Sequence, residues 1–90
     1  MGWHRLSIKN SDLTRFMNEL VGNFEVEIAA GRLTRYALFA QKRDELGCDL
    51  YIPPGAAFLF DRLPGWKARL KPCEALPDLK GAAALPLVPE

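Results

Sequence analysis

The sequence predicts a small α+β domain whose elements run strand, helix, strand, strand, helix, strand. Three observations carry that order. Apolar and polar residues alternate over 3–9, apolar residues recur at helical spacing between positions 13 and 28, and two strand-like runs, 36–41 and 48–52, flank a polar tip before Pro53-Pro54-Gly55 breaks the second.

The first strand is expected over 3–9, with His4, Leu6 and Ile8 on one side and Trp3, Arg5, Ser7 and Lys9 on the other. Asn10, Ser11 and Asp12 supply three candidate N-caps, so a helix should open there. Leu13, Phe16, Met17, Leu20, Val21, Phe24 and Ile28 keep its period, and Ala29-Ala30-Gly31 can end it, which favours one helix over about 12–30. A rival reading ends the helix at Gly22-Asn23 and takes Phe24, Val26 and Ile28 as a strand. Over 36–52 a hairpin is preferred, its polar tip at Arg43-Asp44-Glu45 and its turn ending at Gly47. Here the rival is a helix over 32–46 capped by Gly47.

Pro is favoured in the first turn of a helix, where its missing N–H has no intrahelical partner to lose. With Ala56, Leu59, Phe60 and Leu63 following at helical spacing, Pro53-Pro54-Gly55 reads as a strand end feeding a short helix, stopped by Pro64-Gly65. Trp66, Ala68 and Leu70 then alternate with Lys67, Arg69 and Lys71, which predicts an edge strand with one basic face. The resulting βαββαβ order is that of ferredoxin-like folds. Its expected core is Leu6, Ile8, Phe16, Leu20, Leu38, Leu50, Ile52, Phe60 and Leu70.

Residues 1–71 form the predicted core domain, and 72–90 a tail rich in Pro, Ala and Leu, extended or partly disordered and able to drape over the domain. Ninety residues suffice for one hydrophobic core. A hydrophobic content of 49% with 26% charged residues excludes a disordered chain, and a net charge of +1 gives no bulk preference for nucleic acid or an acidic membrane. No run is long enough to span a bilayer, and the first ten residues lack the apolar centre of a signal peptide. Gly2 invites comparison with a myristoylation signal, but Leu6 stands where that signal needs Ser or Thr. The expected location is the cytoplasm.

Chemistry-bearing patterns are sparse. His4 is the sole histidine and shares a strand face with Leu6 and Ile8, so packing is its expected role. Cys48 and Cys73 match no CxxC spacing, and no nucleophile, base and orienting group can be placed together. No catalytic residue, metal site or cofactor is therefore expected. Glu25, Glu27, Asp44, Glu45 and Asp49 read as solvated charge. Two stretches stand out as candidate surfaces. Pro53, Pro54 and Gly55 form a corner that a partner could contact, and Arg62, Lys67, Arg69 and Lys71 surround Trp66 with no acidic residue among them. Pro86–Pro89 also makes a PxxP match, a pattern frequent by chance.

The set W-x-R-L-x-I at 3–8, AAG at 29–31, ALF at 37–39 and YIPPGAA at 51–57 resembles small uncharacterised bacterial proteins. The resemblance implies element boundaries and no activity. The expected function is a non-enzymatic protein–protein interaction module of bacterial or phage type, binding another protein or itself as a homodimer. The alternative is a nucleic-acid-binding protein that uses the basic strand around Lys67 and Lys71.

Overall fold

A computed structural model describes residues 2–89. It is an α+β structure with a five-stranded, fully antiparallel sheet, β1 (His4–Lys9), β2 (Ala37–Lys42), β3 (Gly47–Ile52), β4 (Lys71–Pro72) and β5 (Ala83–Pro86), in the order β4-β1-β3-β2-β5. The helices α1 (Asn10–Asn23), α2 (Glu25–Ala29) and α3 (Pro64–Lys67), with a 3-10 segment at Pro54–Arg62, share one apolar core with the sheet.

Register decides which residues meet that core. Leu6 lies opposite Leu50 and Ile8 opposite Cys48, while Leu38 lies opposite Leu85. Because successive strand residues point to opposite faces, these side chains fall on one face and turn toward the helices. Leu6, Leu38, Leu50 and Ile52 are fully buried there, and Phe16, Leu20, Leu59 and Phe60 are buried with them from the helical segments. Every expected core residue lies in this cluster except Leu70, which is half-buried and packs against its edge.

The hairpin is present as expected. Asp44 fixes its tip by accepting N–H bonds from Leu46 (2.8 Å) and Gly47 (2.9 Å). These bonds hold the Asp44 carboxyl below the usual carboxylate range, the Leu46 N–H contributing most and Arg43 next. Gly47 is required by close approach, since a Cβ there would sit 2.6 Å from the Ile8 carbonyl oxygen.

Neither reading of residues 12–30 describes the chain completely. The helix does break, at Phe24 (φ −124°, ψ 23°), but it resumes as α2 rather than as a strand. Arg62 donates to the Asn23 carbonyl oxygen at 2.8 Å, taking an acceptor that an unbroken helix would use internally. At the far end, Gly31 has φ +73°; its N–H bonds the Ile28 carbonyl and the Arg32 N–H bonds that of Glu27. This is the left-handed glycine cap expected at Ala29-Ala30-Gly31. At the start, helix α1 takes Lys9 as its N-cap residue, and no side chain caps it. The Asn10 amide instead donates to the Glu45 carbonyl, tying the helix start to the hairpin tip.

The predicted strand over 66–71 is a correction. The 3-10 segment ends at Arg62, just before Pro64 as expected, but Pro64 then opens helix α3, and strand structure is confined to Lys71–Pro72. Three alternations are a short pattern, and Leu63, Trp66 and Leu70 fit a helical face equally well. Burial of Trp66 against Phe16, edge to face at 5.3 Å, selects the helix. The two-residue β4 lies at the sheet edge, where proline limits further pairing.

Of the segment 72–90, read as a tail, residue 90 lies outside the described residues and 72–89 contribute to the sheet and the core. Strands β4 and β5 occupy opposite edges of the sheet, so the chain between them must cross it, and Gln41 marks the face. Its amide donates to the carbonyls of Asp78 (3.1 Å) and Lys80 (2.9 Å), on the side away from the helices. The crossing segment partly covers Tyr51, whose hydroxyl is pushed up chiefly by burial and then by Asp49. Beyond β5, Leu87 is buried in the core and its N–H bonds the Tyr36 carbonyl.

Candidate interaction surfaces

The Pro53-Pro54-Gly55 corner is a helix start. Pro53 is extended (φ −60°, ψ 155°), its carbonyl accepts the Ala56 N–H at 2.9 Å, and Pro54 occupies the first turn. Ala56, Leu59 and Phe60 then turn inward, as their spacing predicts, although the segment is 3-10 rather than α-helical. Pro54 and Gly55 are exposed. The corner presents few polar groups to a partner.

The four basic residues of the second candidate surface are not one face. Arg62 pairs with Glu27 at 3.0 Å and Lys67 with Asp61 at 2.7 Å. Arg69 donates to the Ser7 carbonyl at 3.1 Å, occupying part of the β1 edge that the short β4 leaves open. Lys71 stands opposite Arg5 in the β1–β4 pair. Glu27 is held below the usual carboxylate range by a hydrogen bond from its own backbone first and from Arg62 second.

Trp66 is only 4% exposed and offers no free face for base stacking. Two guanidiniums lie over it instead, Arg15 at 5.0 Å and Arg69 at 4.9 Å from the ring. Its indole N–H donates to the Glu19 carboxylate. Arg15 and Glu19 were not legible as site residues, because α1 brings them to Trp66 across about fifty positions of sequence.

A third surface lies on the other side of α1. Met17, Asn18, Val21 and Gly22 from α1, Ile28 and Ala29 from α2, and the closing segment 86–89 line a mostly apolar groove of about 570 Å³. Val21 is 42% exposed and Val88 47%. Glu25 is the one charged residue among its lining positions. The PxxP match thus becomes a groove wall. This site was missed because its two walls come from opposite ends of the chain.

Cys48 and Cys73 are both free thiols. Cys48 lies opposite Ile8, whereas the Cys73 N–H bonds the Trp3 carbonyl, so they sit at opposite ends of β1, roughly 16 Å apart by strand rise. Burial pushes the Cys48 thiol up, with Asp49 adding to it. His4 is half-buried on the core side, and its Nδ1 has no hydrogen-bond partner among the described residues. Among those residues no group of three or more His, Cys, Asp or Glu side chains is placed to hold a metal, and no helix is long and apolar enough to cross a membrane. No protein-family model, curated protein or solved structure matches the chain.

Proposed function

We propose that the chain is a non-enzymatic protein–protein interaction module that associates with a second copy of itself through the groove between α1, α2 and residues 86–89. The observation that carries the reading is that two half-exposed valines, Val21 and Val88, line one mostly apolar groove with a single charged lining residue. A two-fold contact sets the same patch against itself, so a patch nearly free of charge suits it. A net charge of +1 also leaves little electrostatic repulsion between copies. The β4-β1-β3-β2 order, with the connections through α1 and through the 3-10 segment and α3, supports a ferredoxin-like plan extended by β5 at the β2 edge. Two free cysteines suit the reducing cytoplasm.

Sedimentation velocity over a concentration series tests the association. The expected result is a monomer–dimer equilibrium that persists at high salt, as an apolar contact should, and that Val21→Asp abolishes. A monomer at every concentration, or a dimer unaffected by Val21→Asp, overturns the proposal.

A further inference from the structure

We infer that the cleft beside Trp66 is a binding site for a phosphate monoester. The inference is independent of self-association, because the cleft lies on the other side of α1 from the apolar groove. Arg15 from α1, Arg62 from the end of the 3-10 segment and Arg69 from the turn after α3 all line one cleft of about 490 Å³, with Trp66 in its wall. Their convergence is not a result of sequence proximity. Arg15 and Arg69 lie over the same indole, so their guanidinium carbons are separated by at most about twice the 5.0 Å that separates Arg15 from the ring.

Each guanidinium is tethered yet retains donors. Arg62 uses one nitrogen, Nη1, for both the Asn23 carbonyl and Glu27. Arg69 uses Nη2 for the Ser7 carbonyl, and Arg15 approaches Asp12 only at 3.8 Å, beyond hydrogen-bond length. A guanidinium carries five N–H groups in a planar fork, so most of these donors have no protein acceptor among the described residues. Arg15 and Arg69 are held by stacking on Trp66 and Arg62 by stacking on Phe24, with hydrogen-bond tethers on Arg62 and Arg69, which lowers the ordering cost of binding.

Charge and shape select the ligand. Glu19 is the single carboxylate lining the cleft and already accepts the Trp66 indole N–H, while Glu27 and Asp12, outside the lining, partly offset Arg62 and Arg15. A phosphate monoester near neutral pH carries close to two negative charges and presents three terminal oxygens. Its three oxygens match the number of guanidiniums, and its second charge lets it compete with the carboxylates already beside them. A carboxylate has two oxygens and one charge, and would leave one guanidinium unmatched. A phosphodiester backbone supplies one charge per unit, and the buried face of Trp66 denies it base stacking.

The test uses Trp66 as its own reporter. The chain has two tryptophans, so Trp3→Phe leaves Trp66 as the sole indole, and a dianion bound to the two guanidiniums on its ring would change the field at the indole. Titration with glycerol 3-phosphate at low salt should give a saturable fluorescence change, at least tenfold weaker in Arg15→Gln and in Arg69→Gln. Arg15→Gln keeps the test valid if Arg69→Gln disturbs the β1 edge, because Arg15 makes no hydrogen bond that the fold depends on. Sodium chloride at matched ionic strength should give no saturable change. The proposal is overturned if glycerol 3-phosphate gives no saturation, if chloride reproduces the response, or if both variants bind as tightly as the parent. Saturation by an oligothymidylate lacking terminal phosphate, without saturation by glycerol 3-phosphate, also overturns it and makes the cleft a nucleic-acid contact.

Discussion

Phe60→Ala against Phe58→Ala examines the segment that follows the proline corner, where a 3-10 segment replaces the expected α-helix. Phe60 is fully buried and stacks on Phe16 at 5.7 Å, whereas Phe58, two residues earlier, is 43% exposed and meets Phe24 and Tyr36 edge to face. Removing the Phe60 ring leaves a cavity between sheet and helices and should cost about 3–5 kcal/mol. Phe58 loses only partial burial and two edge contacts, so its truncation should cost about 1–2 kcal/mol. A domain of this length has roughly 5–13 kcal/mol of stability in all. Phe60→Ala should therefore lower the melting temperature by at least about 12 °C, and Phe58→Ala by clearly less. Thermal unfolding followed by circular dichroism, with urea midpoints as a second measure, reads both. Failure of Phe60→Ala to fold while Phe58→Ala folds carries the same meaning. Equal losses in the two variants would refute the assigned inward face of the segment.

Two further outcomes follow from the hairpin. Gly47→Ala should destabilise by about 1–3 kcal/mol in urea unfolding, because its Cβ must push against the Ile8 carbonyl and separate β3 from β1; an unchanged midpoint would show that the strands yield freely. Asp44 has a folded value below that of the unfolded chain, so its contribution is complete above the ordinary aspartate value of about 3.9 and is lost as pH falls through the lower folded value. Amide exchange at Leu46 and Gly47, corrected for intrinsic pH dependence, should lose protection in that acidic window, and Asp44→Ala should remove the pH response there.

Strand periodicity was legible wherever one face meets the core and the other meets solvent. Leu6 and Ile8, or Leu50 and Ile52, are buried at every second position, and a period of two has no other use there. The same signal misled at Trp66–Leu70, because a run that short also fits a helix, and what decided was contact with Phe16 and Leu63, residues outside the window. The break at Phe24 was visible only as a conflict between two patterns. Its resolution depends on Arg62, which reaches back across nearly forty residues to the Asn23 carbonyl. Strand β5 was hidden for a related reason. Ala83-Ala84-Leu85-Pro86 has weak strand preference, and its pairing with β2 becomes possible only after the chain has crossed the sheet under the hold of Gln41. Both candidate sites share this origin. Charge around Trp66 could be read from 62–71, but Arg15 comes to Trp66, and Val21 to the same groove as Val88, only once α1 has packed.

The most direct measurement is a dilution series of two-dimensional amide spectra on uniformly nitrogen-15-labelled protein. Self-association through the groove predicts concentration-dependent shifts at Val21, Gly22, Ile28, Leu87 and Val88, with Gly55 and Ala56 at the proline corner unmoved. Spectra independent of concentration, or shifts centred on Gly55 and Ala56, would contradict it.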